Sequence, residues 1–230
     1  MTDVLVLWDV DQTLVNVGGL GREAFDLAFL RVFGRESVSR PVMAGRTDRA
    51  IALDMVRDNG VPDGDLELLR TEAERALDEL AHLLPVRGRA LVGAAEALAA
   101  VCGQGTAQSL LTGNVRRFAE VKLAAFDLLT HLDLDIGGYG WADSVRARLV
   151  DIARAAALSR RGVSCEGRRT VLVGDTPRDV EAALLSGASV LAVATGHYSV
   201  AELEAAGAHR VLADLSNTDE VLSTLYFLAS

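Results

Sequence analysis

VLVLWDVDQTLVN, residues 4–16, is the stretch whose reading decides the fold. An unbroken apolar run from Val4 to Trp8 ends in two aspartates, Asp9 and Asp11, with Thr13 behind them. A short continuous apolar run of this kind predicts a strand buried on both faces. Side chains two positions apart on a strand face the same way, so the spacing predicts that the two carboxylates crowd together. At about 4 Å and an effective dielectric near 20, two like charges repel by roughly 4 kcal/mol. A cation, a proton or a catalytic need must offset that repulsion.

Further short, β-branched runs follow at 106–111, 170–174 and 189–194, with weaker ones at 133–136 and 209–213; the first is read over 3–8. Helical patterns lie between them, near 88–102, 115–126, 144–158, 177–186, 199–206 and 216–228. Strand alternating with helix predicts an α/β fold, a Rossmann-like three-layer core around a parallel sheet. Residues 16–84 break this rhythm with helical patterns near 21–33, 47–59 and 64–84 and no convincing strand. Gly18, Gly19 and Gly21 open the segment and Pro85-Val86-Arg87-Gly88 closes it. The organisation expected is therefore a core of 1–15 and 85–230 carrying a helical cap at 16–84. No repeat or low-complexity tract interrupts it.

The chain of 230 residues is half hydrophobic and carries 32 acidic against 23 basic residues, a net charge of −9. A chain this long buries about 70% of its unfolded surface and needs no disulfide to hold a core. The acidic balance argues against a nucleic-acid partner. No apolar run reaches the ~20 residues that span a membrane. Two cysteines, Cys102 and Cys165, read as unbridged, and with no basic-plus-apolar leader the expected location is cytoplasmic. Lys122 is the one lysine; every other fixed cation is arginine.

Ligands of doubly wound sheets bind at the carboxyl ends of the strands. The polar residues that end each apolar run are therefore the candidates. They are Asp9, Asp11 and Thr13; then Thr112, Gly113 and Asn114; then Asp175 and Asp179 of GDTPRD; and Arg146 and Arg148 of ADSVRAR, before a helix. Each has a plain structural reading too. Thr176, Pro177 and Asp179 make a good helix cap, although that account does not need Asp175. Asn114 reads equally as a helix N-cap, and Arg146 as a surface residue.

These stretches, in this order, resemble the motifs of the haloacid dehalogenase-like hydrolase superfamily. Asp9-Val10-Asp11-Gln12-Thr13 is similar to its D-x-D-x-T motif, Thr112 to its second motif, and GDTPRD to G-D-x-x-x-D. The helical insert and AGRTD at 44–48 resemble the cap of the phosphoglycolate phosphatase-like branch. The resemblance implies a Mg²⁺-dependent phosphatase acting on a small phosphorylated metabolite. The residue chemistry agrees. Asp9 can attack phosphorus to form an aspartyl-phosphate, and Asp11 can move the proton to and from the reacting oxygens. Asp9, Asp11, the carbonyl of Val10, Asp175 and Asp179 form the expected metal set. Thr112, Gly113, Asn114 and Thr13 are expected to hold the phosphoryl oxygens. Arg46 is expected to read the far end of the substrate from the cap.

The sequence departs from the family pattern at the third motif, where a lysine is usual. Arg146, 29 positions before Asp175, stands nearest that place, with Arg148 and Lys122 as alternatives. Asp11 argues against a haloacid dehalogenase, which needs no proton donor for halide. The lack of lysine in 16–84 argues against a phosphonatase. A sugar phosphomutase and a non-catalytic phospho-ligand binder remain as alternatives, and a phospho-receiver module is half this length. Monomer or small homo-oligomer both fit.

Overall fold

The computed structural model describes residues 4–61, 65–102 and 106–230. Asp3 and residue 64, with which the sequence reading begins a strand and an insert helix, lie outside them. Strand β1 (Val4–Trp8) is wholly buried and central. It pairs in parallel with β4 (Thr106–Thr112) on one side and β6 (Thr170–Gly174) on the other. Strands β5 (Gly138–Tyr139), β7 (Ser189–Val193) and β8 (Arg210–Leu212) complete a six-stranded parallel sheet in the order β5-β4-β1-β6-β7-β8.

The continuous apolar strands divide by residue parity, as a two-faced burial requires. Val4, Val6, Trp8, Leu110, Val171 and Val173 join one apolar cluster, and Leu5, Leu7, Leu111 and Leu172 join the other. Helices α5 (Ala94–Val101), α6 (Arg116–Ala124) and α10 (Thr218–Ala229) supply the first cluster. Helices α7 (Arg146–Arg161) and α8 (Pro177–Leu185) supply the second, with α9 (Val200–Ala205) beside them. The result is a three-layer, Rossmann-like α/β fold. The chain leaves β1 toward β4 and later returns to its other side as β6, so the sheet's switch point falls at the carboxyl end of β1.

Between β1 and β4 the chain forms α1 (Leu20–Phe33), α2 (Asp48–Asp58) and α3 (Leu66–Leu80), then a short α4 (Leu84–Arg87). The stretch Pro85-Val86-Arg87-Gly88 ends α4 at Arg87 and leads into the return crossing. Pro85 lies in the first turn of α4, where a missing N–H costs nothing. The two crossings meet in a small antiparallel ladder of β2 (Val15–Asn16) with β3 (Arg89–Ala90), short strands whose few residues carry no visible pattern. The weak strand expected at 133–136 is instead a 3₁₀ turn over Leu134–Ile136, because the Asp133 carboxylate accepts the Asp135 N–H. The helix expected from 88 begins at Ala94: Gly93, at φ 79°, takes the turn beneath the Leu215 backbone, where a side chain would clash.

The insert helices do not pack on themselves alone. Ile51, Met55, Leu69 and Leu77 belong to the same apolar cluster as Trp8, Leu110 and Phe118, and Phe25 meets Phe118 edge-on at 5.7 Å. Among the described residues no helix is long and apolar enough to cross a membrane.

Candidate active site

β1 ends at Trp8, and the Asp9 N–H beyond it donates to the Val173 carbonyl. Beyond it the chain turns sharply. Leu14 and Val15 both donate to the Val10 carbonyl, and Gln12 adopts φ 65°. The same-face rule stops with the strand, and the two aspartates acquire different partners. Asp9 is buried against the Arg146 guanidinium at 2.9 Å. Asp11 is partly exposed and bound by the Lys122 ammonium at 2.6 Å and the Asn114 amide at 2.8 Å.

Arg146 enters from the first turn of α7. It bridges Asp9 to Asp179 at 2.5 Å and donates to the Leu111 carbonyl at 3.1 Å. The basic group that meets the Asp9 carboxylate is Arg146. Arg148 is exposed and outside the site. Lys122, a fallback in the sequence reading, is buried and serves Asp11 and the Asn114 carbonyl oxygen, both at 2.6 Å. Both basic residues are needed because Asp9 and Asp11 have diverged.

Asp9, Asp175 and Asp179 each bring an oxygen within 4.8 Å of the others, all three buried. Three carboxylates and one guanidinium leave two negative charges, which a divalent ion would balance. Burial pushes the Asp9 carboxyl up to about 6; Arg146 pulls it down, and Asp179 and Asp11 push it up. Asp175 is pushed up to about 9 by burial and by the charges of Asp179 and Asp9. Burial opposes the charge on Arg146, but Asp179 and Asp9 outweigh it and hold the guanidinium above its usual range. The donor set thus suits an oxygen-seeking cation such as Mg²⁺.

Three expected roles are corrected by these contacts. The Val10 carbonyl already accepts two backbone N–H groups, so it has no lone pair to offer a metal. The adjoining carbonyl of Asp11 accepts none among the described residues. The Asp11 carboxylate stands outside the three-acid cluster, paired to Lys122. Thr13 is fully buried, its hydroxyl donating to Asp175 at 3.3 Å; it positions an acid and does not reach a substrate.

GDTPRD forms the helix cap that its residues predict. Thr176 and Asp179 form a reciprocal capping box at the start of α8, with Pro177 in the first turn. One Asp179 oxygen takes the cap bonds at 2.7 and 3.0 Å and the other takes Arg146. Asp175 lies outside the cap and faces the cavity.

Thr112 ends β4, Gly113 and Asn114 follow it, and all three line that cavity. Asn114 is not a helix cap: its amide binds Asp11 and the Thr112 hydroxyl. Gly113 is fixed by crowding, since a side chain there would stand 1.9 Å from the Arg46 carbonyl. The insert docks at this point. Asp48 N–H donates to the Gly113 carbonyl at 2.7 Å, and the Asp48 carboxylate accepts the Val115 N–H at 2.8 Å. Burial pushes that carboxyl up to about 7 against the pull of Lys122. The sequence reading did not single out Asp48. Arg46 lines the cavity, but its guanidinium is engaged within the insert, by Asp54 at 2.6 Å and the Ala50 carbonyl at 3.2 Å.

Fold and site together define an α/β protein with a buried acid cluster at the switch point of its sheet. The chain belongs to the haloacid dehalogenase-like hydrolase family, whose model matches residues 6–184. No curated protein matches it. Among solved structures it is similar to a hydrolase from Pseudomonas syringae, at 24% identity over 99% of this chain and 100% of that one, with a TM-score of 0.69. A structure described as a predicted phosphatase from Clostridium acetobutylicum is 16% identical over 97% and 100% of the two chains, TM-score 0.66. One described as a predicted phosphoglycolate phosphatase from Haemophilus somnus is 15% identical over 96% and 99%, TM-score 0.67. At these identities the likeness is one of fold.

Proposed function

We propose that the chain is a Mg²⁺-dependent phosphatase of a small phosphomonoester, with residues 16–84 as its cap. The observation that carries this reading is the pairing of two differently held acids at one cavity. Asp9 is buried, with its carboxylate on Arg146, and Asp11 is half-open on Lys122 and Asn114. Asp9 is the nucleophile: its oxygen bonds to phosphorus as the bond to the leaving oxygen breaks, giving an aspartyl-phosphate. Asp11 gives the leaving oxygen its proton, then takes one from the water that cleaves the acyl phosphate and restores Asp9. The Thr112 hydroxyl and the amide of Gly113 hold the phosphoryl oxygens, Asn114 holds Thr112 and Asp11 in place, and Lys122 and Arg146 supply positive charge beside them. Asp9, Asp175 and the Asp11 carbonyl would hold Mg²⁺, with Asp179 supporting through Arg146. The ion would supply charge neutralisation for the phosphoryl group.

Phosphate release from a panel of phosphorylated metabolites tests this, with Mg²⁺ and with EDTA. Turnover should vanish in EDTA, and Asp9→Asn should lose at least ~10³-fold in kcat while melting normally. Near wild-type turnover by Asp9→Asn would remove the nucleophile assignment.

A further inference from the structure

The cavity in front of Asp9 has a volume of about 490 Å³. That falls within the roughly 300–1,000 Å³ of sites that enclose whole metabolite- or drug-sized ligands. One part of its wall is apolar, formed by Val42, Met43, Ile51 and Phe118. A two-carbon leaving group would leave this wall facing water, at a hydrophobic cost.

Four cations line the cavity: Arg22, Arg46, Lys122 and Arg146. Lys122 is neutralised by Asp11, Arg146 by Asp9 and Asp179, and Arg46 by Asp54. Arg22, in the first turn of α1, has no ion pair among the described residues. Its one hydrogen bond there is from Nη2 to the Pro41 carbonyl at 2.6 Å, a neutral acceptor that anchors one arm of the fork. Asp26, one helical turn on, senses that charge without touching it. Arg22 lines the same cavity as Asp9, Asp11 and Lys122.

We propose that the substrate is a phosphomonoester whose alcohol half has an apolar body and ends in a carboxylate, the body lying on Val42, Met43 and Phe118 and the carboxylate meeting Arg22. A single unpaired guanidinium calls for one negative charge, and its planar fork matches a carboxylate through two parallel bonds. The assignment rests on the phosphatase reading above and moves distal recognition from Arg46 to Arg22.

Three probes test it with Mg²⁺ present: phenyl phosphate, 4-carboxyphenyl phosphate and 2-phosphoglycolate. The wild type should favour 4-carboxyphenyl over phenyl phosphate by at least about tenfold in kcat/KM, the value of one charge-assisted contact. Both aryl esters should exceed phosphoglycolate. Arg22→Gln should lower the carboxyphenyl-to-phenyl ratio about tenfold, and Arg22→Lys, which keeps the charge, should retain most of it. Met43→Ala should reduce turnover of both aryl esters relative to phosphoglycolate. A preference for phosphoglycolate, or an unchanged ratio in a folded Arg22→Gln, overturns the proposal while leaving the phosphatase reading intact. No phosphate from any probe or from the metabolite panel overturns both.

Discussion

Asp48 shows how a single residue can hold a property its sequence neighbourhood does not advertise. It starts α2, where an acid is favoured by the helix dipole, yet it is buried and its carboxyl is pushed up to about 7. The folded state therefore holds this proton more tightly than the unfolded chain, where the value is 3.8. Its contribution to stability is fully present below that unfolded value and is lost as pH rises through about 7. Asp48→Asn keeps a carbonyl oxygen for the Val115 N–H and removes the charge. Thermal melts of the two proteins should diverge as pH rises from about 4 to about 7, with the variant gaining relative to wild type. A difference that does not change with pH would mean that Asp48 stays ionised throughout. Asp9 and Asp11 teach the complementary lesson. Their spacing gave notice of a charge problem, but each is answered by its own cation, Arg146 at 2.9 Å and Lys122 at 2.6 Å. The strand rule that would have made them share one ends with Trp8, where the ladder ends.

At the scale of elements, the site is a meeting of loops at the sheet edge packed too closely for side chains. A Cβ on Gly140 would lie 1.9 Å from the Gly113 carbonyl, and the Gly140 carbonyl accepts the Arg49 N–H from α2. Gly140 lines no part of the cavity, yet it sets the height of the loop carrying Gly113 and Asn114. Gly140→Ala should cost about 1–3 kcal/mol by overpacking. If the displaced loop moves by about 1 Å, phosphate release should fall by about 10²-fold. Melting and kinetics on one preparation check both, and a variant with wild-type values would show that the loop is not held from below. What the sequence made legible follows the same division. Strands β1, β4, β6 and β7 were readable because burial on both faces demands unbroken apolar runs, and the acids that end β1 and β6 followed from them. The β2–β3 ladder was not readable, because two residues carry no period. The saturation of the Val10 carbonyl and the engagement of Arg46 by Asp54 are outcomes of backbone turns and of contacts between side chains eight positions apart. No local pattern encodes them.

At the scale of the whole molecule, the insert and the sheet share one apolar interior. Phe25 and Phe118 meet at 5.7 Å, and Ile51, Met55 and Leu77 join the cluster that contains Trp8 and Leu110. Polar contacts reinforce this. Trp141 donates to Glu67 at 2.7 Å, and the Thr47 hydroxyl donates to the Ser144 carbonyl at 3.2 Å. A cap on a loose hinge would melt apart from the core; a shared interior predicts one cooperative transition. The acid cluster makes this testable, because Asp9, Asp175 and Asp179 all belong to the sheet side. An ion bound there stabilises directly only the unit that contains those acids. At about 100 times its dissociation constant Mg²⁺ adds about 2.7 kcal/mol, which for a chain of this length raises Tm by about 5–10 °C. Calorimetry should therefore show a single peak that moves as a whole on adding Mg²⁺, insert included, and Asp175→Asn should abolish the movement. Two peaks, only one of them shifted, would separate the insert from the core and make the shared cluster an interface between two units.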